Sequence, residues 1–408
     1  MNKFLNEFID RGFFYQCTNK EELSNILDKK KINAYIGFDS TAPSLHVGSL
    51  LQIMCLRLLQ RHGHRPIVLL GGGTTRIGDP SGKEKTRKIL SEDEIERNIK
   101  NIKKVFNIFL KTDNPSLKPI YVNNFEWLGK LNYINFLREV GKHFTINKML
   151  SFDSVKLRLE REQSLSYMEF NYMILQAYDF LELNKKKNCL LQIGGSDQWG
   201  NIVNGVELIK RHNGKHVFGL TTPLITLASG AKMGKTEEGA VWLDPKLLSA
   251  YDYWQFWRNT DDNDVIRFIK MYTDKSINEI ENIKNQDINK LKIILANEAT
   301  AMLHGKTAAL NAEKTAKETF IDGIAGKNLP VINLKKKQGN KINILELVLA
   351  SKLLMSKGEV RRAIKNNGIK INDTTIVDDK LIVDFNQYDK NTCKLSFGKK
   401  KHIVVKLI

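Results

Sequence analysis

Cysteine is scarce in this 408-residue chain, and the few cysteines lie far apart. Cys17, Cys55, Cys189 and Cys393 form no CxxC pair and no cluster with histidine. Thiols at such distances do not have the ligand spacing of a structural zinc site, and they do not form the pattern of a disulfide framework. We therefore expect no protein-held metal and a reducing compartment.

Long apolar runs are also missing. No stretch approaches the roughly 20 apolar residues that a transmembrane helix needs. The first thirty residues mix Asp and Glu with short apolar stretches, unlike a secretory signal peptide. These two absences predict a soluble, cytoplasmic protein without a membrane partner.

Acidic residues are outnumbered, with 45 Asp and Glu against 64 Lys and Arg, and the formal net charge is +19. Such a charge favours a polyanionic partner, with nucleic acid first and a solubility surplus or a membrane surface as alternatives. The excess is concentrated in residues 331–408, which hold 17 basic and 7 acidic residues. The length indicates two or three domains.

Strand-length apolar runs recur at 34–38, 66–71, 119–122 and 189–193, separated by stretches of helical periodicity. This alternation predicts an α/β fold with a Rossmann-like, doubly wound parallel sheet. The apolar segment 48–62 is expected to form a buried helix that ends at Gly63.

Changes in pattern along the chain predict the domain boundaries. We expect a catalytic domain over 1–240 and a helical domain over 241–325, where the pattern becomes helical and charged. Residues 326–341 combine Gly, Pro and a Lys triplet without sustained period, which indicates a linker. A small α+β domain is predicted over 342–408.

Two separated loops could bind phosphate. In residues 35–49 a strand runs into a turn-rich loop and then a helix, whose first amides suit an anion, and His46 could add a hydrogen bond. Residues 232–236 (Lys-Met-Gly-Lys-Thr) lie between Gly230 and Gly239. Two lysines on such a loop could stabilise charge that develops in a transition state. Taken singly, a loop histidine and a solvated lysine loop are the ordinary interpretations.

A third pattern places polar groups on an otherwise apolar helix. Ser166 and Glu169 form a possible capping box, and Tyr172, Gln176 and Asp179 then share one helix face. Buried polar groups need partners, and either a substrate or neighbouring backbone could supply them.

The two loops resemble the HIGH and KMSKS signatures of class I aminoacyl-tRNA synthetases. The similarity then extends, in the same order, to blocks typical of bacterial-type tyrosyl-tRNA synthetases at residues 35–50, 78–83, 166–180 and 192–201. Residues 344–372 resemble an S4 RNA-binding domain. The resemblance implies a tyrosine–tRNA ligase that forms tyrosyl-adenylate from ATP, releases pyrophosphate, and transfers tyrosine to the terminal adenosine of tRNA(Tyr).

The resemblance also implies a tyrosine site. The phenol hydroxyl would bond to Tyr35 and Asp179, and a site that pairs a buried hydroxyl rejects phenylalanine, an effect for which tyrosyl enzymes are the reference case. The remaining residues would hold the substrate's ammonium and carboxylate groups: Asp79, Tyr172 and Gln176 for the ammonium, and Gln198 for the carboxylate.

An ATP site is implied as well, with Mg²⁺ accompanying ATP and no permanently bound cofactor. Its predicted contacts are Gly37, Asp39, His46, Gly48, Ser49, Gly195, Asp197 and Lys235. Because no side chain is an obvious nucleophile or general base, catalysis should rest on positioning and charge stabilisation. The residues expected around the departing phosphates are Thr41, His46, Lys83, Arg87, Lys232, Lys235 and Thr236. Asp197 is otherwise an ordinary helix cap.

Two positions depart from the signatures. Ser49 stands where histidine is common, which leaves its nucleotide contact open. Gly234 and Thr236 replace two serines; because threonine keeps the hydroxyl, we expect only the glycine position to lose a donor.

In the C-terminal part, Arg361, Arg362 and Lys365 share or adjoin one helical face and could bind phosphates of RNA. A homodimer is implied by the family, with the helices around 123–150 as candidate contacts. Three alternatives remain: a tryptophanyl-tRNA synthetase, a non-catalytic RNA-binding protein on a synthetase scaffold, and a nucleotidyltransferase that makes a small-molecule adenylate.

Overall fold

The computed structural model describes ten stretches of the chain. They are residues 2–81, 90–228, 230, 233–236, 239–320, 329, 331–334, 340–388, 391–398 and 401–408. Of residues 153, 154, 235, 236, 319 and 320 only the main chain is described.

The helices of the described residues are α1 (Lys3–Asp10), α2 (Lys20–Lys29), α3 (Leu50–Arg61), α4 (Glu92–Phe109), α5 (Phe125–Leu128), α6 (Tyr133–Glu139), α7 (Ile146–Leu150), α8 (Asp153–Glu160), α9 (Tyr167–Lys187), α10 (Trp199–Asn213), α11 (Ala250–Arg258), α12 (Val265–Tyr272), α13 (Ile277–Ile283), α14 (Ile288–His304), α15 (Lys306–Phe320), α16 (Ile344–Ala350) and α17 (Lys357–Lys365). The strands are β1 (Gln16–Cys17), β2 (Asn33–Asp39), β3 (Arg65–Gly71), β4 (Ile120–Asn123), β5 (Cys189–Gly195), β6 (Phe218–Thr222), β7 (Lys235–Thr236), β8 (Gly239–Ala240), β9 (Val331–Leu334), β10 (Lys341–Asn343), β11 (Ile369–Ile371), β12 (Thr374–Thr375), β13 (Ile382–Asp384), β14 (Thr392–Phe397) and β15 (Lys401–Leu407).

The main sheet has the strand order β1-β6-β5-β2-β3-β4. Strands β6, β5, β2, β3 and β4 are parallel, and the short β1 joins β6 antiparallel at the edge. The order reverses between β2 and β5, which is the topological switch point of a doubly wound fold. The predicted fold class is confirmed; β6 and β1 were not predicted.

Helices α3 and α9, which the sequence predicted, flank this sheet. Helix α3 begins after a single 3-10 turn at Val47–Ser49, buries most of its side chains, and ends before Gly63, whose φ is +83°. Helix α9 begins with the reciprocal capping box of Ser166 and Glu169. Its 21 residues run under the sheet and carry the predicted polar trio.

The chain divides into two compact units, which differ from the predicted domains. The first unit comprises 1–247 and 261–291, and the second comprises 248–260 and 292–408. The predicted helical domain is therefore split. The physical reason lies in buried polar contacts: the guanidinium of Arg11 donates to the carbonyl oxygens of Lys270 and Lys275, each at 2.7 Å, and so holds the segment after α12 within the first unit.

The second unit contains the C-terminal sheet, with strand order β12-β11-β14-β15-β9. Helices α16 and α17 pack on it around a separate apolar core that includes Leu347, Val360 and Leu395. Strand β9 pairs in parallel with β15, although it lies in the predicted linker. Tertiary pairing along β15 thus gives a strand to a segment whose own sequence indicates none. Within the described residues, no helix has the length and apolar character to span a bilayer.

Candidate active site

A cavity of about 360 Å³ opens at the carboxyl ends of β2 and β5. This is the switch point, where ligands of doubly wound sheets bind. Its lining includes twelve of the predicted site residues: Tyr35, Gly37, Asp39, Thr41, Gly48, Ser49, Asp79, Tyr172, Gln176, Gly195, Asp197 and Gln198. Of the residues predicted to bind tyrosine or ATP and whose side chains are described, His46 and Asp179 do not line it.

Asp179 is a buried carboxylate beside the cavity, with 1% of its surface exposed. Trp127 Nε1 donates to Oδ1 and Asn124 Nδ2 donates to Oδ2, each at 2.8 Å. Burial raises the pKa of Asp179 to about 8; these two hydrogen bonds oppose the shift, and the charges of Asp39 and Glu182 add to it.

Tyr35 is fully buried on β2, and its hydroxyl has no hydrogen-bond partner among the described residues. Burial, with the nearby charge of Asp179, raises the pKa of this phenol well above its usual value, so it is neutral. Because a buried hydroxyl without a partner is costly, and because Tyr35 lines the cavity, this hydroxyl indicates a site for a polar group of a ligand.

A second set of polar side chains forms a connected network on the cavity wall. Gln198 Nε2 donates to Asp79 Oδ2 at 2.9 Å, and Asn201 Nδ2 donates to both Gln198 Oε1 and Gln176 Oε1 at 3.1 Å. Tyr172 Oη donates to Asp39 Oδ2 at 3.2 Å. Two carboxylates with several carbonyl and hydroxyl oxygens suit an ammonium group.

Asn124 connects the two ends of this wall. Its Nδ2 donates both to Asp179 and, at 3.0 Å, to Thr74 Oγ1, which in turn donates to Asp39 Oδ1 at 2.8 Å. Its Oδ1 accepts from the amide of Gly73 at 2.7 Å. Asn124, Thr74 and Trp127 were not predicted from the sequence. They contact the site from segments other than β2, β5 and α9, and no local sequence pattern identifies them.

The two signature loops lie directly against each other. His46 forms a β-bridge with Trp242, and the amide of Val47 donates to the Val241 carbonyl at 2.9 Å. His46 Nδ1 accepts from the Gly48 amide at 3.0 Å. A β-carbon on Gly234 would lie 2.6 Å from the same Nδ1. The two predicted phosphate-binding loops are therefore in direct contact.

Several predicted residues have limited or no description. Lys83, Arg87 and Lys232 lie outside the described residues, and so do the side chains of Lys235 and Thr236. The main chain of the last two forms β7, which pairs with β8 in a hairpin. Ser49 lines the cavity and makes no side-chain cap to α3.

Comparison with known proteins identifies the family. The sequence model described as tRNA synthetases class I (W and Y) matches residues 27–321. The tyrosine–tRNA ligase of Pelagibacter ubique (strain HTCC1062) is 70% identical over 100% of both chains. The chain belongs to the tyrosyl-tRNA synthetases of class I.

Other relatives agree with this assignment. The tyrosine–tRNA ligase of Rickettsia rickettsii (strain Sheila Smith) is 52% identical over 99% of this synthetase and 100% of its own length. A C-terminally truncated mitochondrial tyrosyl-tRNA synthetase from Aspergillus nidulans superposes with a TM-score of 0.71 at 31% identity, covering 78% of this chain and 94% of the fungal one. These findings favour the tyrosyl reading of this synthetase over the tryptophanyl and non-catalytic alternatives.

In the second unit, α17 begins with a capping box of Ser356 and Glu359 and presents four exposed cations, Lys357 and the predicted Arg361, Arg362 and Lys365. Arg361 Nε donates to Asp379 Oδ2 at 3.1 Å. Arg362 and Lys365 lie in the last turn of the same helix.

Proposed function

We propose that the cavity binds L-tyrosine and ATP together. The tyrosine carboxylate attacks the α-phosphorus, tyrosyl-adenylate forms, pyrophosphate leaves, and tyrosine then passes to the 3′-terminal adenosine of tRNA(Tyr). The observation that carries this proposal is the buried, unpaired hydroxyl of Tyr35 close to the carboxylate of Asp179.

The pair gives the site its substrate preference. The phenol of tyrosine donates to Asp179 and accepts from Tyr35, so the Tyr35 hydroxyl gains a partner and Asp179 gains a further donor. Phenylalanine would leave the Tyr35 hydroxyl without a partner and would give Asp179 no further donor, which is the strongest basis for rejecting it. The network around Asp79, Tyr172 and Gln176 binds the ammonium group, and Gln198 lies where it can donate to the carboxylate.

At the other end, ATP lies along the glycines and polar groups of β2 and β5. Its predicted contacts are Gly37, Asp39, Gly48, Ser49, Gly195 and Asp197. A β-carbon on Gly195 would lie 2.5 Å from Asp197 Oδ1, so glycine leaves this wall open to a close approach. Gly48 and Ser49 belong to the turn before α3, at the N-terminal end of that helix, where the helix dipole favours phosphate.

Catalysis in this proposal rests on positioning and on positive charge. Thr41, His46, Lys83, Arg87, Lys232, Lys235 and Thr236 stabilise the charge on the departing pyrophosphate. Mg²⁺ enters with ATP, because magnesium in nucleotide enzymes binds substrate phosphates with few protein ligands.

Pyrophosphate exchange tests the proposal. Labelled pyrophosphate should enter ATP with tyrosine, and not with tryptophan or phenylalanine. Asp179→Ala should abolish the tyrosine-dependent exchange. Exchange with tryptophan by the wild type, or tyrosine-dependent exchange in this variant with unchanged selectivity against phenylalanine, would contradict the assigned roles.

We infer that α17 binds the phosphates of tRNA, since its exposed cations belong to the most basic fifth of the chain. A double charge reversal, Arg362→Glu with Lys365→Glu, should weaken tRNA aminoacylation and leave pyrophosphate exchange intact. Lys341→Glu, an exposed cation on β10, is the matched control. Equal loss of both activities would contradict the inference.

We also propose that the protein is a homodimer that acts in the cytoplasm, where tRNA is used. Large apolar side chains are exposed together on the helices α6, α7 and α9: Tyr133 (56%), Ile134 (62%), Ile146 (60%) and Tyr167 (67%). A second copy of the chain would cover them. Sedimentation should show a dimer that Ile134→Asp dissociates, whereas Leu310→Asp, at 61% exposure on α15, should not.

A further inference from the structure

Helix α12 contacts the segment that carries the second signature at two places, before the signature and within it. Before the signature, Asp264 Oδ2, at the start of α12, accepts from the Ala228 amide at 2.7 Å. Arg267 Nη2, in the first turn, donates to the Thr226 carbonyl at 2.6 Å. Within the signature, the sulfur of Met233 accepts from Tyr272 Oη, at the end of α12, at 3.1 Å.

Three of the residues in these contacts are buried, whereas Arg267 is partly exposed. Asp264 is 4% exposed, Tyr272 is fully buried and Met233 is 6% exposed. Asp264 Oδ1 also pairs with Arg267 at 2.5 Å. The two side chains that bind Thr226 and Ala228 therefore also form an ion pair with each other. Charge-assisted hydrogen bonds of this kind are about twice as strong as neutral ones.

The same helix is itself fixed at its far end. Arg11, with 2% of its surface exposed, donates to the carbonyl oxygens of Lys270, Thr273 and Lys275. Thr273 Oγ1 donates back to the Ile269 carbonyl at 2.7 Å. These contacts give the loop a rigid support that belongs to the same compact unit as the cavity.

The support reaches the nucleotide end of the cavity through Met233. The next residue, Gly234, packs against His46, and its carbonyl accepts from the Val241 amide at 3.3 Å. Val241 in turn accepts from Val47, which precedes Gly48 and Ser49 of the cavity wall. A shift of Met233 would therefore move the second signature relative to the first.

We propose that Asp264 and Tyr272 are positioning residues for adenylate formation, which set the place of the signature loop without touching substrate. The inference rests on the proposed role of that loop in stabilising the departing pyrophosphate. Because this charge develops in the transition state, displacement of the loop should lower the rate of activation and leave tyrosine binding unchanged.

The test measures the single-turnover rate of tyrosyl-adenylate formation, the dissociation constants of tyrosine and ATP, and the melting temperature, all on the full-length protein. Asp264→Ala should lower the rate constant by about tenfold to a hundredfold, the range that a loop displacement near 1 Å produces. The tyrosine dissociation constant should stay within about twofold. Asp264→Asn, which keeps an oxygen acceptor for the Ala228 amide, should recover part of the rate.

The control is Asp274→Asn. Asp274 also pairs with an arginine, Arg57, at 2.8 Å to Nε in the same unit, and among the described residues its side-chain hydrogen bonds and ion pairs are to arginines and not to the signature loop. It should lower the melting temperature while its rate remains near that of the wild type. If Asp264→Ala slows activation no more than Asp274→Asn, or weakens tyrosine binding in step with the rate, the inference is wrong.

Two further variants complete the test. If Asp264→Ala does not fold, Tyr272→Phe replaces it in the test, because it removes only one hydroxyl. Tyr272→Phe should slow activation more than it changes tyrosine binding. An unchanged rate in both Tyr272→Phe and Asp264→Asn would overturn the inference. Lys235→Ala distinguishes the role of the signature loop from the positioning role of Asp264 and Tyr272. If Lys235→Ala leaves the rate unchanged, the proposed role of the loop fails; if it slows activation while the Asp264 and Tyr272 variants do not, only the positioning role fails.

Discussion

Gly234 packs against the ring of His46 so closely that a β-carbon would lie 2.6 Å from Nδ1 and 2.8 Å from the Gly48 amide nitrogen. Its φ of +109° is also a conformation that other residues rarely adopt. The glycine of the second signature is therefore required by its backbone and by the space around it. The sequence suggested instead that this position had lost a hydrogen-bond donor.

Gly234→Ala should slow tyrosyl-adenylate formation by more than about tenfold, because the loop must move away from His46. Gly234→Ser, which introduces the residue common in the signature, should behave in the same way. Gly239→Ala is the matched control, since Gly239 has φ +119° in the same hairpin and a β-carbon there meets no atom within 4 Å. Equal rates for all three variants would show that the contact with His46 has no role.

The affinity for tyrosine should depend on pH through Asp179. Its carboxyl has a pKa of about 8, and the ionised form accepts the hydrogen bond of the substrate phenol more strongly than the protonated form does. The dissociation constant should therefore fall as pH rises from about 6 towards about 8, well below the phenol pKa of about 10. Calorimetric titrations across this range measure it, and Asp179→Asn should give a flat profile. A pH-dependent Asn variant would assign the titration to another group.

The same pKa predicts a change in stability. A folded-state pKa raised above the ordinary value of about 3.9 means that the protonated form of Asp179 favours the fold. Its contribution is complete below about pH 4 and is lost as pH rises through about 8. Asp179→Asn should remove this part of the slope in the free energy of unfolding of the ligand-free protein. A slope identical to that of the wild type would contradict the assignment.

Trp127 offers a way to move this titration without touching Asp179. Its indole N–H lowers the pKa of the carboxyl, so Trp127→Phe should shift the midpoint of tyrosine affinity to higher pH. It should also cost about 1–3 kcal/mol of stability, as a lost hydrogen bond to a buried charged group does. Trp254→Phe removes an equivalent N–H bond, to Asn297 at 2.7 Å, and should leave the midpoint in place.

The sequence predicted the parts of the site that follow local rules. The capping box at Ser166 and the helical spacing after it place Tyr172 and Gln176 on the cavity wall, with Asp179 on the same helix. The apolar runs likewise predicted four strands of the main sheet within one or two residues of their bounds.

Contacts between distant segments could not be predicted in this way. Asn124 lies between β4 and α5, and Trp127 lies in α5; no periodicity connects this segment to Asp179 on α9. Strand β9 exists through its pairing with β15, because its short sequence lies next to glycine, proline and lysine. The conformation of Gly234 depends on His46, which lies far earlier in the chain.

Gln52 is expected to supply the nucleotide contact that Ser49 is too short to make. It lies one turn further along α3 and lines the same cavity. Its Nε2 donates to Thr222 Oγ1 at 2.8 Å, which fixes the amide, and its buried Oε1 has no partner among the described residues.

Gln52→Leu should raise the KM for ATP about tenfold, the effect of about 1.4 kcal/mol, whereas Ser49→Ala should change it less than about threefold. Gln60→Leu is the same substitution two turns further on, where the amide donates to the carbonyls of Leu110 and Leu117; it should lower stability and leave the KM for ATP unchanged. Steady-state kinetics of pyrophosphate exchange distinguish these outcomes. A larger effect on the KM for ATP at Ser49 than at Gln52 would show that Ser49, and not Gln52, makes the nucleotide contact.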